Sequence, residues 1–98
     1  MSLGWTRSRF KSKHKEIKTY LRSFYNGNKA AFLDATREHS FLAGYLHGLY
    51  GSDVLSDEEF EEFSKMYIED FPHFTYCVRE GRLIVSYCKD GNVVEMVL

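Results

Sequence analysis

The hydrophobic period of this chain changes at Pro72, and that change restricts the fold more than any other feature. Before Pro72, apolar residues recur every three or four positions, the spacing of amphipathic helices. After it, residues 74–98 alternate between apolar and polar, and Glu80-Gly81 and Asp90-Gly91 mark two tight turns. The sequence therefore predicts an α+β domain, with three helices within 7–71 followed by a three-stranded antiparallel β-meander.

The length of 98 residues suits one domain, 1–98, in which we expect 1–6 to be flexible, 7–71 to be helical and 74–98 to form the meander. No apolar run approaches the roughly 20 residues of a membrane span, so we expect no membrane contact. The two cysteines are too few for a disulfide framework. These features together favour a cytoplasmic protein.

The two turns fix a register for the strands. In that register one sheet face collects nine apolar or aromatic residues, so we expect the helices to cover it. They are Phe74, Tyr76, Val78, Leu83, Val85, Tyr87, Val94, Met96 and Leu98. The third-helix residues Phe60 and Phe63, with Leu46 of the second helix, are expected to pack above this face.

The other sheet face carries an apolar row that the helices cannot reach, formed by Cys77, Ile84 and Val97. We predict that this row is a protein interface, with self-association as one form of it. A three-stranded sheet also has two open edges, at 74–80 and 93–98, and either can receive a partner.

Each helix has a boundary signal in the sequence. The first is predicted over 7–25, with a buried stripe of Phe10, Ile17, Leu21 and Phe24, and Asn26-Gly27 ends it. The second is predicted over 29–50, with Asn28 as its N-cap. In the third, Ser56 and Glu59 have the spacing of a capping box, and Pro72 stops the helix.

Gly44 and Gly48 lie inside the second helix, where glycine weakens a helix, and we expect them to admit another backbone closely. The segment 41–48, Phe-Leu-Ala-Gly-Tyr-Leu-His-Gly, resembles the start of the motif helix of LAGLIDADG homing endonucleases. That family ends the helix in a metal-binding acid, whereas this chain has Leu49. The resemblance therefore implies close helix packing and no endonuclease chemistry.

Charge is distributed unevenly along the chain. Residues 1–29 carry eight basic side chains and one acid, whereas 30–98 carry five basic and thirteen acidic ones. Five cations recur at helical spacing and form a basic stripe on the first helix: Arg7, Lys11, Lys15, Lys18 and Arg22. Such a stripe can bind phosphates or an acidic partner, with Trp5 and Tyr25 as rings that stack on bases. The alternatives are that the stripe faces solvent or the acidic third helix.

The remaining reactive residues form no recognisable catalytic or metal-binding pattern. The four histidines and two cysteines lack paired metal-ligand spacing, and His39 lies on the core side of its helix. The acids that begin the third helix have the pattern of capping charges. We therefore expect no enzyme, metal or cofactor, and a small binding or regulatory module acting through protein–protein contact. Nucleic-acid binding through the basic stripe is the alternative.

Overall fold

The computed structural model describes residues 3–98, with side chains from residue 6 onward. Helix α1 spans Leu3–Tyr25 and buries the predicted stripe, Phe10, Ile17, Leu21 and Phe24. It begins earlier than expected, since Thr6, which we placed in the flexible segment 1–6, is helical and only 1% exposed. Residues 1 and 2 of that segment lie outside the described part. The helix ends as predicted, because Gly27 takes a φ of +105° that suits glycine.

Helix α2 spans Ala30–Gly51, one residue later at each end than predicted. Its core side buries Ala31, Phe32, Ala35, Leu42, Leu46 and Leu49. The predicted N-cap is wrong. Lys29 occupies that position with helical backbone angles, and the Asn28 amide instead donates to the Ser23 hydroxyl at 3.1 Å. The Asn28 side chain therefore ties the start of α2 back to the end of α1.

The expectation for Gly44 and Gly48 is also wrong. Both glycines are exposed, and a Cβ added at either would have no heavy atom within 4 Å outside the local helix backbone. No backbone of the described residues approaches them closely. The two glycines therefore lie on the solvent side of α2, where they weaken the helix without a packing role.

Helix α3 spans Asp57–Phe63 and begins with the predicted capping box. The Ser56 hydroxyl accepts from the Glu59 N–H at 3.2 Å, and the Glu59 carboxylate accepts from the Ser56 N–H at 3.0 Å. The chain then widens into a π-helical turn, Ser64–Ile68, in which Glu69 N–H donates to the Ser64 carbonyl at 2.9 Å. This turn ends regular helix before Phe71, earlier than predicted.

The chain ends in the predicted meander, with β1 at Thr75–Arg79, β2 at Arg82–Lys89 and β3 at Asn92–Val97 in the order β1-β2-β3. The predicted register is confirmed: the first face aligns Tyr76, Val85 and Met96, and the second aligns Cys77, Ile84 and Val97. Both turns place two residues at positive φ, as two-residue hairpins require.

The helices cover only one end of the first sheet face. The Phe32 ring contacts Phe74 at 4.9 Å between centroids, and Phe24 contacts Tyr87 at 5.6 Å. Accordingly Phe74, Val85 and Tyr87 are buried. The expectation that all nine residues are covered is wrong for Tyr76, Val78 and Leu83, which are exposed near the β1–β2 turn. The molecule is elongated as a result, 48 Å by 25 Å by 21 Å.

The third helix packs away from the sheet, contrary to expectation. The Phe63 ring meets Phe10 of α1 edge-on at 5.2 Å, and Phe60 contacts the Tyr50 ring of α2 at 4.4 Å. The rings that pack on the sheet come instead from the facing ends of α1 and α2. The domain therefore has a helical end centred on Phe10 and Phe63, and a mixed end centred on Phe24 and Phe32.

Candidate functional site

An exposed apolar patch lies at the tip of the β1–β2 hairpin, formed by Tyr76, Val78 and Leu83, and is called the overhang below. These side chains are 56%, 70% and 40% exposed, and they lie on the face that the helices cover elsewhere. Phe32 contacts the Tyr76 ring at 6.1 Å, whereas Val78 lies one step closer to the turn. Helical cover therefore ends at the edge of the Tyr76 ring and does not reach Val78. The part-buried Met96 and Leu98 continue the patch toward the core.

The opposite face contains the predicted row of Cys77, Ile84 and Val97 in alignment. Its central member is hidden, since Ile84 is only 6% exposed. Arg79 of β1 donates two hydrogen bonds to the Glu95 carboxylate of β3, at 3.0 and 3.2 Å. Because β2 lies between these strands, the pair crosses the face of β2 that carries Ile84, and Glu95 raises the pKa of Arg79. The row therefore presents less apolar surface than the sequence suggested.

Two cations of the basic stripe contact acidic residues: one in α3 and one just after the π-helical turn. The Arg7 guanidinium bonds both Glu62 oxygens, at 2.7 and 3.1 Å, and lies 4.9 Å from the centre of the Phe63 ring. Hydrogen bonds from Arg7 hold the pKa of Glu62 below its ordinary value of 4.5. Lys18 lies 3.3 Å from Asp70, which also contacts His14 at 2.7 Å. Two of the five cations thus act within the fold.

The other three cations of the stripe, Lys11, Lys15 and Arg22, are exposed and form no ion pair with the described residues. At about 100° per residue they lie roughly 40–80° around α1 from Arg7, on the side turned away from α3. They are the part of the stripe that remains available to an anion. The Trp5 side chain lies outside the described residues.

An open cleft adjoins the Arg22 end of the stripe, lined by Lys18, Leu21, Arg22, Tyr25, Asp70 and Pro72. Tyr25 is half-buried there, with its ring 5.2 Å from Tyr87 and the Lys89 ammonium 5.5 Å from its centre. Burial, reinforced by the Tyr87 hydroxyl, raises the pKa of Tyr25. The predicted stacking ring is therefore mostly engaged by protein neighbours.

His39 has a structural role, as the sequence suggested. Its Nε2 donates to the Ile68 carbonyl at 3.0 Å, and its ring stacks on Phe71 at 4.0 Å. Its hydrogen bond reaches the last residue of the π-helical turn, whose carbonyl also accepts from the Phe71 N–H at 3.3 Å. Across the described part of the chain, no group of three His, Cys, Asp or Glu side chains is arranged to hold a metal ion.

Sequence reasoning missed the overhang, although Val78 and Leu83 flank a predicted hairpin turn. Their apolar character identified the correct face, but alternation says nothing about how far the helices extend over it. Within residues 3–98, no helix is both long and apolar enough to cross a bilayer. No protein-family model, curated protein or solved structure matches this chain.

Proposed function

We propose that this chain is a non-enzymatic binding or regulatory module that acts through protein–protein contact, with the overhang as its contact surface. The observation that carries this proposal is the exposure of Tyr76, Val78 and Leu83 on an otherwise buried face. Three such side chains expose roughly 300 Å² of surface, which is the low end of the size range of the largest apolar patch on a soluble monomer, a patch that is often functional.

The overhang suits a protein partner better than the other two candidate surfaces do. The row on the opposite face has little exposed surface at its centre, where Ile84 is buried. The basic stripe has two of its five cations engaged by Glu62 and Asp70. Tyr76 adds a large ring with a polar tip, a residue type enriched at protein interfaces.

A site-specific crosslink tests this function. A photoreactive benzophenone side chain is placed at position 78 or, as a matched control, at position 93, where Val93 is 71% exposed on the opposite face. Irradiation of cells that express each variant should give a discrete protein adduct at position 78 and none at position 93. Equal labelling at both positions, or none at position 78, would refute the proposal.

Nucleic-acid binding remains a second candidate, supported by the three free cations of the stripe. Three phosphate contacts predict that log K falls against log salt with a slope of about −2 for a single strand. Fluorescence anisotropy with a single-stranded RNA and a single-stranded DNA measures that slope. Replacing Lys11, Lys15 and Arg22 by Gln should abolish binding, whereas the same change at Lys29, Arg37 and Arg82 should not. No binding at about 50 mM salt would exclude this candidate.

For the location of the protein, the cytoplasm remains our proposal. Cys77 and Cys88 are both exposed free thiols, and they lie on one sheet face about 13 Å apart along the strand direction. Exposed thiols that cannot pair with each other persist best in a reducing compartment.

A further inference from the structure

The outer edge of β1 has free backbone groups that can be assigned from the register. Leu98 N–H donates to the Leu83 carbonyl at 2.9 Å, so Leu83 and every second residue after it direct their backbone groups toward β3. The residues of β2 that lie between these direct their backbone groups toward β1. Their partners on β1 are Thr75, Cys77 and Arg79, which leaves the N–H and C=O groups of Tyr76 and Val78 pointing outward.

This edge has none of the usual devices that prevent strand pairing. All five residues of β1 are exposed, and no described element pairs with its outer side. The strand has no proline and no inward-pointing charge, and its one cation, Arg79, is bonded to Glu95. The edge is also continuous with the overhang, because Tyr76 and Val78 belong to both.

We propose that the occupant of the overhang is a second copy of this chain, paired antiparallel along β1 with Cys77 on the two-fold axis. This inference rests on the proposed function of the overhang. In that register, Tyr76 of each copy faces Val78 of the other, so the four free pairs of backbone groups bond to one another. The same pairing places the exposed Tyr76 ring against a β-branched side chain, a favourable cross-strand pair.

The symmetry of the pairing is compatible with the rest of the domain. A two-fold axis perpendicular to the sheet joins two meanders into six strands and keeps both sets of helices on one face. Because the strands run antiparallel, the helices of the two copies lie at opposite ends of the joined sheet. On the other edge, a pairing that uses all three outward residues of β3, Val93, Glu95 and Val97, is centred on Glu95 and would set two carboxylates directly opposite each other.

The contact is small, as in weak and transient complexes. A five-residue strand edge and three side chains fall at the low end of specific interfaces, which bury about 1,200 Å² in total. We therefore expect a dissociation constant of about 10–100 µM. Sedimentation equilibrium over about 1–300 µM covers that range.

A pair of matched variants locates the contact. Val78→Lys places a charge on the proposed interface, whereas Val93→Lys makes the same change at a valine of equal exposure, 71% against 70%, on the other edge strand. Val78→Lys changes two symmetry-related cross-strand pairs and should raise the dissociation constant by about 2- to 30-fold, while Val93→Lys should leave it unchanged. Circular dichroism establishes that both variants remain folded. A wild-type protein that is monomeric at about 300 µM, or a dissociation constant that Val78→Lys leaves unchanged, would overturn the pairing.

Cys77 supplies an independent measure of register. In the proposed pair its Cα lies about 4.5 Å from that of Cys77 in the second copy, a separation that permits a disulfide. With diamide as the oxidant that accepts two electrons and two protons, the Cys88→Ser variant should crosslink to a dimer faster than Cys77→Ser. Equal rates would contradict the register. If the protein is monomeric but position 78 crosslinks in cells to a different protein, self-pairing fails and the proposed function stands. If the protein is monomeric and position 78 gives no adduct with any protein, both proposals are refuted.

Discussion

Replacing Gly44 and Gly48 by alanine should stabilise the protein, and the structure fixes both the sign and the size of the effect. Each glycine lies inside α2 with open space around the position of a Cβ. Alanine is favoured over glycine in an exposed helix interior by about 1 kcal/mol. With no neighbour to displace, each substitution should raise the free energy of unfolding by about that amount, and the pair by about 2 kcal/mol.

Thermal unfolding followed by far-ultraviolet circular dichroism measures this effect. A chain of 98 residues has an unfolding entropy near its midpoint of about 0.2 kcal/mol/K, so each alanine should raise Tm by about 5 °C and the pair by about 10 °C. All variants are compared at one protein concentration. Urea unfolding gives the free energies independently, provided that the m-value is unchanged.

Two other glycines serve as controls of opposite sign. Gly27 and Gly81 also have open space, but their φ values of +105° and +76° strain any residue with a Cβ. Gly27→Ala and Gly81→Ala should each lower the free energy of unfolding by about 1 kcal/mol. A lower Tm for the Gly44/Gly48 double variant would refute the reasoning, because it would mean that something packs closely on this side of α2.

Three further substitutions test the turn, the core and the ion pair. Glu80 has a φ of +53° at the first position of the β1–β2 turn, a conformation that asparagine adopts more readily. Glu80→Asn should therefore raise the free energy of unfolding, measured with urea, by about 0.5–1 kcal/mol. A lower free energy of unfolding would contradict this turn conformation. Phe63 is fully buried against Phe10, so Phe63→Ala should lower the free energy of unfolding by about 3–5 kcal/mol in the same assay. A decrease of less than about 1 kcal/mol would mean that the ring lies outside the core. Arg7 lowers the pKa of Glu62, so the stabilisation is present above pH 4.5 and is lost as pH falls through the lowered pKa of the folded state. The free energy of unfolding of Arg7→Gln should therefore differ most from that of wild type at neutral pH. A difference that grew below pH 4 would contradict a stabilising Arg7–Glu62 pair.

The parts of the fold that could be predicted are those determined by local rules. Two-residue turns and strict alternation fix which strand residues share a face, so Tyr76, Val85 and Met96 were aligned correctly from the sequence. The capping box at Ser56 and Glu59 needs only a spacing of three residues. Both features depend on neighbours within one element or one hairpin.

The errors arose where one element had to be placed against another. Helical spacing put Arg7 and Lys11 on one stripe, but only the position of α3 decides that Arg7 meets Glu62 while Lys11 remains exposed. Gly44 and Gly48 have the spacing of a close-packing pair, yet the helices meet on another side of α2. Sequence periodicity specifies the angular position of a side chain and leaves the distance to its neighbours undetermined.

In the meander too, the sequence pattern does not determine which residues of the two sheet faces are buried, and this affects the proposed function. On the face without helices, the central apolar residue, Ile84, is buried, and the Arg79–Glu95 pair crosses its strand. On the face with helices, Val78 remains 70% exposed because helical cover ends before the turn. Near the β1–β2 turn, burial is therefore the reverse of what the apolar pattern alone predicts. An apolar face that the domain leaves uncovered costs solvation free energy in an isolated monomer, and contact with another chain removes that cost. This disagreement between pattern and burial is the reason that we propose the hairpin tip, and not the row of Cys77, Ile84 and Val97, as the contact surface.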